Sequence, residues 1–254
     1  MINFFRKTRK KLADDNKPLQ YARYAIGEIL LVVVGILIAL QINNWNEDQR
    51  ARAEERTLLE NLHEDLQAAS EQSVGFIKKE ELLIDRLIMV LDIHPNGKPA
   101  PPEYYVDSII LPMIWEFESN VPVVNSYAEI KNTGKTSLIR NREIRQKFTN
   151  LELSINFLNT QVKDRLTVQQ IRIDDIAEND INLVRYANAP DKSLIVAIDK
   201  EPENDYPTVF KRPKVRNLLA MKLLLTRDVL KFRLELQKEI QDIVDLIDKE
   251  ISAF

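Results

Sequence analysis

The chain contains no cysteine, an absence that removes disulfides, thiolate metal sites, cysteine nucleophiles and a lipidated N-terminal cysteine together. Histidine is nearly as scarce. His63 and His94 are the only two and lie far apart; Glu64 and Asp65 beside His63 diverge around a helix and cannot share an ion with it, so that face reads as solvated. Paired carboxylates such as Asp174 and Asp175 meet the same objection. No set of nucleophile, base and oxyanion donors assembles from what remains, so the expectation is a chain that is not an enzyme and that needs no cofactor or metal. Only 5 glycines and 11 prolines punctuate 254 residues, and a composition rich in Leu, Ile, Lys, Glu and Gln favours long helices. The predicted fold class is all-α.

A strong overall charge is also missing, the net value being −3. The distribution is lopsided, however. Residues 1–24 carry +5 and the remainder −8, so the larger part would repel phosphate and nucleic acid is not an expected partner. Ile2, Phe5 and Leu12 among Arg and Lys give a basic amphipathic pattern suited to an anionic lipid surface, or to a plain positive flank.

What is present is one apolar stretch, YAIGEILLVVVGILIALQINNW, from Tyr24 to Trp45. Its uncharged heart, Ile29 to Leu40, is short for a span, but 22 residues at about 1.5 Å each give roughly 33 Å, matching a bilayer core of about 30 Å. Tyr24 and Trp45 stand where interfacial anchors belong. No small-residue cleavage pattern follows, which favours an uncleaved anchor. The flanking Lys/Arg place the N-terminus in the cytoplasm and the C-terminal bulk outside. Three regions are therefore predicted: a basic tail over 1–23, a transmembrane helix over 24–45, and an extracytoplasmic helical bundle over 46–254. Glu28 lies near the inner interface, where a carboxylate reaches headgroups or a base. Gly27, Gly35 and Ala39 form a small-residue stripe of the kind that lets membrane helices approach.

The opening block, MINFFRKTRKKLADDNKPLQYARYAIGEILLVVVGILIALQINNWNE, resembles the start of an uncharacterised family of bacterial single-span membrane proteins, the domain-of-unknown-function 6090 family. The likeness continues more weakly through SYAEIKNTGKTSLIRNREIR and the last helical segment. It implies a membrane-anchored, mostly helical protein of the bacterial inner membrane, and brings no activity or site residues.

Beyond the span, Leu59, Leu62, Leu66, Ala69, Ser73, Phe76, Glu80, Leu83, Leu87 and Val90 recur at threes and fours, a coiled-coil-like seam with two polar members. No Pro or Gly interrupts Gly35 to Gly75, so one helix is expected from the membrane to about Leu91. HPNGKPAPP, residues 94–102, is punctuation. Residues 103–124, with Tyr104, Tyr105, Trp115 and Phe117, read as a short helix and irregular chain that caps the bundle, with a ligand pocket as the lesser reading. SYAEIKNTG reads as a short helix, Ser126 its N-cap and Gly134 its stop. A second long helix is predicted over Arg142–Tyr186, capped by Asn141, with Ile144, Phe148, Leu151, Ile155, Leu158, Val162, Leu166, Gln169, Ile173 and Ile176 inward. Residues 188–213 form a proline-rich loop around LIVAI, either an edge strand or packing chain. The last helix, Lys214–Ser252, turns Leu218, Met221 or Lys222, Leu225, Val229, Phe232, Leu236, Ile240, Ile243, Ile247 and Ile251 inward, completing an antiparallel bundle.

TGKTS, Thr133 to Ser137, imitates the end of a phosphate-binding loop. The required earlier glycine is Glu129 and the preceding segment is helical, so nucleotide binding is rejected. Arg140, Arg142 and Arg145 cluster at a helix N-terminus, where an anion or acidic partner could be attracted; surface ion pairing is the plainer alternative. The sequence thus predicts a membrane-anchored interaction or scaffold protein, in contact with lipid and with a protein partner or a second copy. The alternative is a bundle that senses a small molecule or anion and signals through a partner.

Overall fold

The computed structural model describes residues 18–93, 101–184 and 201–254, with side chains described from Ala22 onward except that of Tyr24. The basic amphipathic tail up to Lys17, most of HPNGKPAPP, Tyr186 and the LIVAI segment lie outside the described residues. Among those described, regular structure is entirely helical. The chain divides into two compact units, residues 1–57 and 58–254.

Helix α1, Pro18–Val90, is 73 residues long and contributes to both units. In the first unit every large apolar side chain from Ile26 to Trp45 is 45 to 73% exposed. Water-soluble surfaces rarely carry so continuous an apolar band. This helix is long and apolar enough to cross a membrane. At its far end Asp92 adopts φ 56°, while Asp92 N–H reaches Met89 O at 3.1 Å and Ile93 N–H reaches Ile88 O at 3.2 Å, a left-handed stop that Asp tolerates better than most residues.

The second unit contains the rest of α1 with α2 (Asp107–Trp115), α3 (Asn125–Asn132), α4 (Arg142–Val168), α5 (Asp174–Asp180), α6 (Tyr206–Val209) and α7 (Pro213–Ile251). Contacts along α7 run in reverse order to those along α1: Asp248 with His63 at 2.9 Å, Gln237 with Ser70 at 2.8 Å, Arg233 with Glu80 at 3.1 Å and Arg216 with the Leu91 carbonyl at 2.7 Å. The same reversal holds against α4 and α5, where Asp242 meets Lys147 at 3.7 Å, Glu239 meets Ser154 at 3.1 Å and Lys214 meets Asp175 at 2.5 Å. Helices α1 and α4 therefore share a direction, α7 opposes both, and residues 116–141 carry the chain back between them.

Several local expectations need correction. Ser126 does not cap α3; the cap position is Val124, without a side-chain bond. Ser126 instead donates its N–H and Oγ to Asp65 Oδ2, at 2.6 and 2.7 Å. A long-range carboxylate has displaced the local cap. His63 and Asp65 are accordingly half-buried and engaged rather than on a solvated face. The second long helix is interrupted, passing from α4 through a π turn at Gln169–Ile173 into α5 and giving way to extended chain at Ile181. Asn141 does cap α4, accepting from Glu143 N–H at 2.9 Å and Ile144 N–H at 3.3 Å, and Gly134 follows α3 at φ 72°.

The core is in two parts. One cluster joins Leu58 to Ala69 of α1, Ile144 to Val162 of α4 and Val229 to Ile247 of α7. The other joins Leu83 to Leu91, Ile110 to Ile114 of α2, Ile173, Ile176, Tyr206 to Phe210 and Val215 to Leu223. In the register between them, α1 contributes Ser73 and Glu80, α4 and its π turn contribute Arg165 and Gln169, and α7 contributes Lys222, Thr226 and Arg233, all buried.

Candidate functional site

Charged side chains are buried only where partners await them, because removing an ion from water costs several kcal/mol. Glu80, fully buried, receives Arg165 Nη1 on Oε2 at 2.7 Å, Arg165 Nη2 on Oε1 at 2.8 Å and Arg233 Nε on Oε1 at 3.1 Å. Three helices meet at one carboxylate. The bidentate fork is a geometry that only Arg supplies.

The remaining donors hold the returning chain. Arg165 Nη2 and Arg233 Nη2 donate to the Glu118 carbonyl at 2.5 and 3.1 Å, and Arg233 Nη1 to the Asn120 carbonyl at 2.9 Å. Lys222 Nζ donates to the carbonyls of Ile114 at 2.5 Å and Glu116 at 3.1 Å, and Gln169 Nε2 to Ile114 at 3.0 Å. Residues 116–120 lie in no helix or sheet and Ile114 sits in the last turn of α2, where carbonyls have no intrahelical donor, so buried side-chain donors satisfy them instead. Phe117 lies 5.2 Å from the Arg165 guanidinium and Phe76 lies 5.3 Å from that of Arg233, giving each cation an aromatic face. Arg165 Nε is buried without an acceptor among the described residues.

Proton affinities follow from these surroundings. Burial pushes the Lys222 ammonium down to about 7, with nearby Arg165 adding to the push. Burial likewise lowers the Arg233 guanidinium, against the pull of Glu80. Burial alone would raise the Glu118 carboxyl, but hydrogen bonds from Lys79 at 2.6 Å and from Asn120 N–H and Nδ2 at 2.9 and 2.8 Å hold it below the usual range. The layer's donors are directed at Glu80 and at the connector's carbonyls, which fixes the connector against the three helices.

Sequence reasoning found part of this layer. Ser73, Glu80, Gln169 and the Met221 or Lys222 position all stood in the predicted seams. At three others the inward residue is one place from the expected one: Arg165 replaces Leu166, Thr226 replaces Leu225 and Arg233 replaces Phe232. Lys222 is inward and Met221 is 42% exposed.

The other singled-out residues are placed as follows. Arg145 is half-buried and its Nη1 donates to the carbonyls of Ile139 and, at 3.1 Å, Arg140. Arg140 and Arg142 are exposed, so two of the three reach solvent while the third closes its own loop. Trp45 is 65% exposed, whereas the Tyr24 side chain lies outside the described residues. A Cβ added at Gly27 or Gly35 would meet no heavy atom within 4 Å, and Ala39 is exposed. Of the four aromatics of the 103–124 region, Tyr105 packs 6.4 Å from Phe210, Phe117 joins the ionic layer and Trp115 is 50% exposed. Burial raises the Tyr105 phenol, with Asp92 adding to the effect.

Fold and site together define a chain whose described residues form helices alone as regular structure, one of those helices having membrane-crossing length and apolarity. Residues 28–89, wholly within α1, match a family described as a family of unknown function (DUF6090). No curated protein and no solved structure matches the chain.

Proposed function

We propose that the chain is a membrane-anchored helical interaction protein: a single-pass protein of a bacterial inner membrane, its basic N-terminus cytoplasmic and its helical bundle, 46–254, extracytoplasmic. The observation that carries this reading is the unbroken exposed apolar band from Ile26 to Trp45, a surface that lipid covers at no desolvation cost. Orientation rests on the +5 of residues 1–24 against the −8 of the remainder. A protein partner, or a second copy of the chain, is supported by Leu153 and Phe157, 64% and 50% exposed, with Phe157 set edge-on to Phe232 at 4.9 Å; aromatic anchors of this kind dominate protein interfaces. The bundle's charges, spent on its own connector, fit a projecting scaffold better than a catalyst.

Two measurements test it. The full chain expressed in bacteria is expected to stay with the membrane through alkaline carbonate washing, and alkaline phosphatase fused after Phe254 is expected to be active. Release by carbonate removes the anchor, and an inactive phosphatase with an active cytoplasmic reporter reverses the orientation. Photocrosslinkers at positions 153 and 157 are expected to capture a protein neighbour; silence at both removes the interaction role.

A further inference from the structure

Beside the ionic layer lies an open cavity of about 300 Å³ lined by Lys79, Leu82, Leu83, Arg86, Pro112, Glu116, Phe117 and Glu118. Its size is near the lower end of ligand pockets, roughly 300–1,000 Å³. Its charges are of two kinds. Lys79 and Glu118 satisfy each other at 2.6 Å, with Glu118 further held by Asn120, and so present a closed pair. Arg86, half-buried on α1, and Glu116, exposed on the connector, line the same cavity; neither makes an ion pair among the described residues, although the Glu116 carboxylate lies within electrostatic reach of the buried Lys222 ammonium. Between them Leu82, 51% exposed, with Leu83, Pro112 and Phe117, supplies apolar wall.

A guanidinium and a carboxylate that reach solvent in one small, partly apolar cavity are complementary to a molecule that bears both opposite charges on a short hydrocarbon skeleton. We propose that this cavity binds a zwitterionic apolar α-amino acid, its carboxylate on Arg86, its ammonium on Glu116 and its side chain against Leu82, Leu83, Pro112 and Phe117. A simple anion lacks the group that Glu116 attracts, and a simple amine is opposed by Arg86. The carbonyl of Glu116 is already held by Lys222 and that of Glu118 by Arg165 and Arg233, so the wall carrying Glu116 is preorganised, which lowers the cost of binding. The proposal stands apart from anchoring, since the cavity lies wholly within residues 79–118.

Isothermal titration of the full chain in mild detergent with L-leucine, 4-methylpentanoate and isopentylamine tests it. Leucine is expected to bind at least about tenfold more tightly than either single-charge analogue, because each analogue lacks one of the two charge-assisted contacts. Arg86→Gln is expected to weaken leucine by about tenfold or more, and Glu116→Gln likewise, while Glu116→Gln leaves 4-methylpentanoate no weaker than in the parent. Both positions reach solvent, and circular dichroism of each variant checks that the fold survives. Leucine bound no better than its analogues, leucine binding indifferent to both substitutions, or no heat from leucine with the folded parent each overturns the proposal.

Discussion

Glu80 is the residue on which the second unit's charge balance turns, because two buried guanidiniums from different helices face it. Glu80→Ala is expected to lower stability by about 3–5 kcal/mol, leaving two cations without their carboxylate. Replacing Glu80, Arg165 and Arg233 together by Leu, Leu and Met should recover most of that loss in thermal unfolding of the detergent-solubilised chain. The carbonyls of Glu118 and Asn120 would still lack their donors, so faster proteolysis between residues 116 and 124 is expected even where the midpoint recovers. Lys222 gives a pH prediction of definite sign. Its folded value of about 7 lies below the ordinary 10.5, so between these values the unfolded chain binds more protons and stability rises with pH. The penalty is complete below about 7 and relieved as pH approaches 10.5, an effect of a few kcal/mol at 1.36 kcal/mol per unit. Unfolding midpoints at pH 6.5 and 9 should differ in that direction, and Lys222→Met should flatten the difference.

At the scale of elements, α4 depends on Asn141 for both its start and its tie to the end of α7. Its Oδ1 caps two N–H groups and its Nδ2 donates to Glu250 Oε2 at 2.6 Å. Asn141→Ala is expected to cost about 1–2 kcal/mol; Asn141→Asp keeps the cap but sets a carboxylate against Glu250, so its loss should shrink as pH falls to 4. The far end of α1, the boundaries of α7, the Asn141 cap and the Gly134 stop were legible in sequence because each depends on residues a few positions apart. Arg165 and Arg233 were not. A seam read for apolar residues selects Leu166 and Phe232, and only a carboxylate 85 and 153 residues distant makes their charged neighbours the inward ones. Ser126 failed for the same reason, its acceptor lying 61 residues away. The π turn at Gln169–Ile173 is equally silent in sequence, although Gln169, its first residue, donates to the Ile114 carbonyl and to Asp174 Oδ1 at 2.9 Å, tying the deviation to the connector.

For the whole molecule, the exposed band of α1 sets where the chain can reside. Val33→Lys, near the middle of the apolar run, is expected to cost about 2.5–3.5 kcal/mol on insertion and to shift a measurable share of the chain out of the carbonate-resistant fraction. The same substitution at Val74, in the second unit, should not. The ionic layer also bears on how many ways the sequence can fold. Apolar seams repeat with every turn, so sliding α7 by one turn past α1 would exchange leucines and isoleucines for others of similar size. That slip would set Glu80 against Val229 or Leu236 instead of Arg233, burying a charge without its counterpart. The layer therefore acts as a key cut into a largely apolar shaft, the remaining polar contacts between α1 and α7 lying nearer solvent. Its Leu/Leu/Met replacement, though folded, should populate several registers, visible as amide exchange that loses its single slow phase.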